Sequence, residues 1–357
     1  MAVSRKSEAM SGTEEGMSGT PPLQVGVAGA TGLVGREFLD LLERRRFPIG
    51  RLRVFASARS AGQTIRWRGE DLVVEELEQA DPAGLDLALF SAGKQIAREQ
   101  APRFAQAGVL VVDNSSAFRE EPDIPLVVPE VNGHLLAAIP ERRIIANPNC
   151  STIILLLPVA ALHRAFGVEE IVVSTYQSVS GAGKEARDEL YAQARAFSMG
   201  EKESWHHYDR PIFLNLIPKI GDLLPEGDCY EEVKIVRESR RILDAPDLRV
   251  YATTVRVPVE RCHSESVLVR LRWPAAKEEV TAALASAPGL ALAELPSPRE
   301  LIRNEQTFVG RIRVGAEDKR VVRFWVVGDQ LWKGAALNAI QIAEEMIARG
   351  ALHAARV

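Results

Sequence analysis

The sequence predicts a two-domain α/β protein, with a parallel sheet in the first part of the chain and a mixed or antiparallel sheet in the second. A chain of 357 residues is long enough to build two substantial cores. Up to residue 150, strand and helix patterns alternate and the strands are near-continuous apolar runs, which is typical of a parallel sheet covered on both faces. Beyond residue 150 the strands alternate apolar with polar residues, which favours a mixed or antiparallel sheet packed with helices.

The composition is that of an ordinary soluble globular protein, with 46% hydrophobic and 26% charged residues. A net charge of -4 and a pI near 6.0 argue against nucleic acid as the main partner. No apolar run approaches the roughly 20 residues that span a bilayer, so we expect no membrane association. Three cysteines, Cys150, Cys229 and Cys262, form neither a disulfide framework nor a metal-site spacing, which fits a reducing cytoplasm and a protein without a metal.

Residues 1–20 are predicted to form a disordered tail. They are rich in Ser, Gly, Thr and Glu, and they lack the apolar stretch of a secretory signal. Several acidic residues also argue against a transit peptide.

The ordered part begins with a strand, a glycine-rich turn and a helix. A strand pattern over 23–28 is followed by the turn at 29–35 and by helical spacing over 37–43. Glycines let the backbone approach a pyrophosphate, which the helix N-terminus then faces. The spacing is G-x-x-G-x-x-G rather than G-x-G-x-x-G, and a tight turn without a ligand is the alternative. The residues expected to contact a dinucleotide are Gly29, Thr31, Gly32, Leu33 and Val34.

The second strand pattern, over 52–56, points to the type of dinucleotide. The end of this strand meets the adenosine ribose, where an NAD site usually carries Asp or Glu. Here Ser57, Arg59 and Ser60 follow the strand, and these side chains suit a 2′-phosphate. We therefore expect NADP, with a solvated surface arginine as the alternative. A hairpin is predicted next, over 64–77.

Two further buried strands end in polar residues. The strand over 85–90 leads to Ser91, and the strand over 109–113 leads to Asn114. Open α/β sheets bind ligands at the carboxyl ends of their strands, so Ser91 is expected to face the cofactor.

Cys150 lies where a strand stops and a helix starts. The strand pattern covers 143–146, and a long apolar helix pattern begins at Ile153. Asn149 is a good N-cap residue, and the free N–H groups at the helix start would stabilise a thiolate. A buried structural cysteine is the alternative to a nucleophile at this position.

The second half of the chain supplies the remaining predicted elements. They are a long strand over 170–180 with Gln177 near its end, a helix over 184–196, an irregular loop over 201–211, a helix from Tyr230, strands over 249–258, 264–273 and 324–327, and a helix over 333–348. The last helix is expected to return to the first domain.

Seven short motifs follow one another along the chain. They are GATG at 29–32, NPNCST at 147–152, STYQ at 174–177, SGAG at 180–183, RVPV at 256–259, HSE at 263–265 and KGAALN at 333–338. In this order they resemble the motifs of the aspartate-β-semialdehyde dehydrogenase family. The resemblance extends from about Leu23 to Ala348 and leaves out the tail.

The resemblance implies a reaction, a fold and an assembly. The reaction is the reversible, NADP-dependent conversion of L-4-aspartyl phosphate to L-aspartate-4-semialdehyde and phosphate, which leads to lysine or diaminopimelate, threonine and methionine. The implied architecture is similar to that of glyceraldehyde-3-phosphate dehydrogenase, in a homodimer or a tetramer of dimers. A Rossmann-type NADP-binding domain would cover 21–150 and be completed by the helix within 331–357, and an α+β catalytic and dimerisation domain would cover 151–330.

The resemblance also gives the reacting residues. Cys150 would attack the carbonyl and carry the acyl group as a thioester, because a thiolate is both a strong nucleophile and a good leaving group. His263 would be the general acid/base, although a histidine after a strand end is more often a packing or surface residue. Gln177 would orient the acyl-enzyme, with a satisfied amide at a strand end as the alternative.

The other roles implied by the resemblance concern binding. Arg256 would clamp the substrate α-carboxylate through a bidentate pair, and Glu231 would bind its α-ammonium. The simpler alternatives are an exposed strand arginine and, for Glu231 with Lys234, a solvated ion pair. The phosphate would be bound by Arg119, Lys234 and Asn114, and the nicotinamide side of the cofactor would be faced by Ser180, Gly181 and Asn338.

Two rival interpretations are an N-acetyl-γ-glutamyl-phosphate reductase and a non-catalytic regulator. N-acetyl-γ-glutamyl-phosphate reductases share the thioester chemistry but usually carry His-Pro-Gly-Cys, whereas this chain has Asn-Pro-Asn-Cys ending at Cys150. A non-catalytic NADP-binding regulator would not need Cys150, Gln177, Arg256 and His263 together. Many relatives have Gly before the histidine; here Cys262 precedes His263, and we expect it to be buried and inert rather than a redox-sensitive thiol.

Overall fold

The computed structural model describes residues 22–354, so the predicted tail over 1–20 lies outside the described residues. Its first sheet has seven strands in the order β3-β4-β2-β1-β5-β6-β7, parallel throughout except for the β3–β4 hairpin. The strands are β1 (Leu23–Ala28), β2 (Ile49–Ala56), β3 (Thr64–Trp67), β4 (Glu70–Glu76), β5 (Leu87–Phe90), β6 (Leu110–Asp113) and β7 (Ile144–Ala146).

The helices cover the sheets. They are α1 (Leu33–Arg44), α2 (Lys94–Gln106), α3 (Pro129–Asn132), α4 (Cys150–Phe166), α5 (Lys184–Met199), α6 (Tyr230–Ile242), α7 (Lys277–Ala285) and α8 (Leu337–Ala348). On one face of the first sheet, Phe38 of α1 and Ile340 of α8 pack with the buried residues of β1. On the other face, Phe104 of α2 and Ile154 of α4 belong to a second core cluster. The parallel sheet is thus covered on both faces, as predicted, and the last helix returns to it.

The second sheet has six strands in the order β11-β12-β13-β10-β8-β9 and is mixed. Its strands are β8 (Val168–Gln177), β9 (Arg249–Arg256), β10 (His263–Leu271), β11 (Leu290–Leu292), β12 (Thr307–Val314) and β13 (Val321–Gly328). β8–β9 and β11–β12 pair in parallel, and the other neighbours are antiparallel. Helix α4 packs Ile154 into the same core as Val267 of β10 and Val326 of β13, so it lies between the two sheets.

Four elements were not predicted from the sequence: α3, α7, β11 and β12. Only Val280 and Leu284 of α7 are buried, so its apolar pattern is weak, and β11 is very short. A π-helical turn (Trp332–Ala336) precedes α8, where one regular helix was expected. Within residues 22–354, no helix combines the length and the apolar character needed to cross a membrane.

Candidate active site

The turn before α4 has the predicted geometry. Asn149 caps the helix, its Oδ1 accepting from the backbone N–H groups of Ser151 at 3.0 Å and Thr152 at 3.2 Å. The N–H of Asn149 itself donates to Glu238 Oε2 at 2.6 Å. Cys150 is therefore the first residue of α4, on a turn that is hydrogen-bonded on both sides.

His263 lies against the thiol. The distance between Cys150 Sγ and His263 Nε2 is 3.4 Å, although 113 positions separate the two residues. Folding joins them because α4, which begins at Cys150, packs against β10, which begins at His263. The N–H of Ser178 donates to His263 Nδ1 at 3.1 Å, so the neutral ring carries its proton on Nε2, the nitrogen that faces the sulfur.

Burial keeps both groups neutral. Burial raises the pKa of the Cys150 thiol to about 12, and the charge of Glu231 adds to the rise while Arg256 and Arg119 oppose it. Burial likewise lowers the pKa of His263 to about 3, with a further decrease from Arg256. The predicted stabilisation of a thiolate by the helix start is thus outweighed by burial. The resting pair is a thiol facing a neutral imidazole.

Glu231 is a buried carboxylate held by three donors. Its Oε1 accepts from Asn149 Nδ2 at 2.8 Å and from Gln177 Nε2 at 3.1 Å, and its Oε2 accepts from Lys234 Nζ at 3.1 Å. Burial alone would raise the pKa of Glu231, but Lys234, Asn149 and Gln177 lower it to about 2. Glu231 is therefore ionised at neutral pH and suited to a cationic group of a ligand.

Arg256, at the end of β9, is buried with part of its guanidinium unused. Nη1 donates to the Ser178 carbonyl oxygen at 2.7 Å, whereas Nε has no partner among residues 22–354. An added Cβ on Gly181 would lie 2.9 Å from His263 Cε1 and 3.2 Å from Arg256 Nη1. A glycine at position 181 thus leaves room for both side chains.

Arg119 lies beside the turn that precedes α4. It donates to the carbonyl oxygens of Asn147 and Asn114, both at 2.9 Å, and to Glu238 Oε1 at 3.3 Å. Glu238, which accepts from both Arg119 and the N–H of Asn149, was not predicted from the sequence. Its signal was helical spacing, because positions 231, 234 and 238 share one face of α6.

One cavity of about 490 Å³ brings most of the predicted residues together. Its lining includes Gly32, Leu33, Val34, Ser91, Asn114, Arg119, Cys150, Gln177, Ser180, Gly181, Glu231, Lys234 and Arg256. Gln330, which the sequence analysis missed, also lines it and donates to Ser180 Oγ at 2.7 Å.

The glycine-rich turn fits a dinucleotide. An added Cβ on Gly29 would lie 2.1 Å from the Ser91 carbonyl oxygen, and one on Gly35 would lie 2.1 Å from the Gly29 carbonyl oxygen. The packing therefore requires bare backbone here, at the N-terminus of α1. A smaller cavity of about 230 Å³ continues from this turn, and its lining includes Gly29, Thr31, Gly32, Ser57, Ser91 and Glu78, the last not predicted.

Five predicted or discussed residues lie outside these linings, and the fully buried His263 is one of them. Arg59 is exposed at the rim beyond Ser57, and Ser60 is buried. Asn338 is fully buried, and its amide donates to Val127 and Asn147 and accepts from Lys333. Cys262 is fully buried, and burial raises the pKa of its thiol.

Comparison with known proteins covers both halves of the chain. Residues 24–139 match the family described as semialdehyde dehydrogenase, NAD binding domain, and residues 159–333 match semialdehyde dehydrogenase, dimerisation domain. The chain is 42% identical over 335 residues to the aspartate-semialdehyde dehydrogenase of Synechocystis sp., covering 92% of this chain and 98% of that protein. It is 44% identical to that of Mycolicibacterium smegmatis, covering 91% and 99%.

Solved structures of similar proteins share the fold. Aspartate semialdehyde dehydrogenase II of Vibrio cholerae, complexed with ASA, has a TM-score of 0.90 at 41% identity and covers 92% of this chain and 99% of its own. The Candida albicans aspartate semialdehyde dehydrogenase, solved with NADP, has a TM-score of 0.73 at 25% identity and covers 93% and 100%.

Proposed function

The chain belongs to the aspartate-semialdehyde dehydrogenase family, and on that basis we propose that Cys150 carries the aspartyl group as a thioester during the reaction. The family membership makes the protein an NADP-dependent oxidoreductase that reduces and dephosphorylates L-4-aspartyl phosphate to L-aspartate-4-semialdehyde, in amino-acid biosynthesis. The observation that carries the proposal is the 3.4 Å contact between Cys150 Sγ and His263 Nε2, at the wall of a cavity that also reaches the glycine-rich turn.

The substrate's two charged groups have matching partners. The ionised Glu231 suits the α-ammonium, and Arg256, with its unused Nε, suits the α-carboxylate. Because the charge of Glu231 helps to raise the pKa of Cys150, an ammonium bound to Glu231 would lower that pKa and favour the thiolate. Substrate binding would thereby activate the nucleophile.

The Cys150 thiol gives up its proton as its sulfur attacks the acyl phosphate. That proton leaves with the phosphate, which departs toward Arg119, Lys234 and Asn114. NADPH, when bound against the turn at Gly29–Gly35, supplies the hydride. The N–H at Nε2 of His263 donates a hydrogen bond to the substrate oxygen while that oxygen carries negative charge. Gln177, tied to Glu231 at 3.1 Å, orients the acyl group, and Cys150 leaves as the aldehyde forms.

An assay of NADP reduction by the purified protein tests this function. With aspartate semialdehyde, NADP reduction is expected to require inorganic phosphate, because the thioester of Cys150 is released by phosphate. NAD is expected to react more slowly, since Ser57 and Arg59 suit a 2′-phosphate. Equal rates with NAD and NADP would contradict the role of Arg59. Reaction only with N-acetyl-glutamate semialdehyde would favour the reductase rival, and NADP binding without turnover would favour a regulator.

The outer face of the second sheet suits a homodimer interface. Val172 and Tyr251 are exposed there, and Tyr176 packs against Trp325 with ring centroids 5.3 Å apart. Residues 159–333 match a dimerisation domain. We therefore propose that two copies of the chain pair through this apolar face.

A charge on this face should separate the subunits. Val172→Arg is expected to convert the dimer into monomers, with the 39.2 kDa mass of one chain, because it would bury a charge without a partner at the interface. Sedimentation velocity at micromolar concentration measures the change, and a tetramer would also be visible there. Val73→Arg, at an exposed valine of the first sheet, is the matched control. An unchanged mass in Val172→Arg would exclude this face.

The proposal also includes the domain boundaries and the cellular compartment. The cofactor domain is taken as residues 21–150, completed by 331–357, with the catalytic and dimerisation domain as 151–330. The free thiols of Cys150, Cys229 and Cys262 support a reducing compartment, so we place the enzyme in the cytoplasm.

A further inference from the structure

A second cavity, of about 340 Å³, adjoins the catalytic one and is strongly basic. It lies between α2, the segment after β6 and α6. Arg119 and Lys234 line both cavities, so the two share a wall. The other cations that line it are Lys94, Arg98, Arg237 and Arg241, and its acidic residues are Glu120 and Glu238.

The spacing of these cations is unfavourable unless an anion binds. Lys94 and Arg98 lie four residues apart on α2, and Arg237 and Arg241 lie four residues apart on α6. Like charges at this spacing repel one another on a helix surface. Two helices thus each present a repelling pair to one cavity, in a chain whose net charge is -4.

The acidic residues of the cavity do not neutralise the α2 pair. Glu238 is engaged by Arg119 and by the N–H of Asn149. Glu120 pairs with Arg237 at 2.7 Å, between two exposed side chains. In the described part of the chain the Lys94 ammonium has no hydrogen-bond or ion-pair partner.

The arginines of the cavity divide into structural and free groups. Arg241 donates to the carbonyl oxygens of Arg119, Glu121 and Ile124, so its role is to hold the segment after β6. Arg98 donates one hydrogen bond, at 3.2 Å, to the Ala117 carbonyl oxygen, and it has no carboxylate partner in the described residues. Lys94 and Arg98 therefore remain available to an anion.

We propose that this cavity is an outer binding site for a phosphate dianion, which Lys94 and Arg98 attract and pass to the inner position at Arg119 and Lys234. The inference rests on the proposed function, because it concerns the phosphate that the reaction consumes or releases. A cleft lined by one sign of charge raises the local concentration of its counter-ion. The site would thus favour phosphate entry without contacting the reacting atoms.

The double variant Lys94→Gln/Arg98→Gln tests the site in the full-length enzyme. In the direction that consumes inorganic phosphate, its KM for phosphate is expected to rise about fivefold at low ionic strength. The increase should shrink at high salt, because exposed charges are screened. The kcat and the KM for NADP should not change. The control Lys277→Gln/Arg299→Gln removes the same charge from exposed positions elsewhere and should leave all constants unchanged. A phosphate KM equal to that of the control would overturn the proposal.

Direct binding separates this inference from the proposed function. Titration of the parent enzyme with inorganic phosphate, followed by ³¹P NMR, is expected to give two sites per chain, and the Lys94→Gln/Arg98→Gln variant is expected to retain one. That result supports the outer site even in a protein without turnover. One site in the parent enzyme would refute it, whatever the activity.

Discussion

Cys150→Ala is expected to lower kcat by roughly 10⁴-fold or more, because it removes the atom that forms the thioester. No other thiol can replace it, since Cys229 and Cys262 are both buried away from the cavity lining. The loss should appear in both directions of the reaction. It should also abolish the burst of NADP reduction that a thioester intermediate is expected to give when the aldehyde is mixed with enzyme.

The fold of this variant should survive. The side chain of Cys150 is small, and the turn is held by Asn149 and Glu238 rather than by the sulfur. Circular dichroism and NADP binding are therefore expected to match those of the parent enzyme. Cys262→Ala is the control, because it removes an equally small thiol next to His263. Substantial turnover in Cys150→Ala would eliminate the thioester mechanism.

His263→Asn is expected to lower kcat by roughly 10²- to 10⁴-fold. Asparagine is polar but shorter, and it lacks the N–H group at Nε2, the atom that lies 3.4 Å from Cys150 Sγ. The variant should still form some thioester, so single-turnover mixing should show slow acylation rather than none. A kcat within a few-fold of the parent value would assign His263 a packing role only.

The pH dependence of kcat/KM distinguishes the role of Cys150 from that of His263. With the pKa of the Cys150 thiol raised to about 12, the thiolate fraction grows as pH rises through neutrality, so kcat/KM is expected to increase with pH. The pKa of His263 is lowered to about 3, so its protonation should not cause a second change above pH 5. In His263→Asn the profile should move to higher pH, because the thiolate loses a donor. An unshifted profile would mean that His263 does not stabilise the thiolate.

The sequence alone predicted the features that are determined by residues close together in the chain. The strand, turn and helix around Gly29–Gly35 and around Cys150 are set by glycine, proline and capping residues within a few positions, and the structure has them where expected. The parallel first sheet and the mixed second sheet were also confirmed. The polar strand ends, at Ser91 and Asn114, do line the central cavity.

The sequence could not predict features that depend on contacts between residues far apart in the chain. Glu238 reads as one more acid on a charged helix until folding brings it to Arg119 and the N–H of Asn149. The hydrogen bonds of Asn338 to Lys333 and Asn147 likewise join residues that the sequence alone does not pair. The protonation of Cys150 also differed from expectation, since the helix start is a local feature and burial is a global one.

The position of α8 has a consequence for synthesis. About 200 residues separate the end of β7 from the end of α8, yet Leu337 and Met346 of α8 close the core over β1. A ribosome needs roughly 10–40 s for that length at about 5–20 residues per second. Throughout that interval α1 covers its part of this face of the first sheet, and the part that α8 will cover stays open. The nascent chain therefore offers a chaperone a defined target, which disappears only when the last helix emerges.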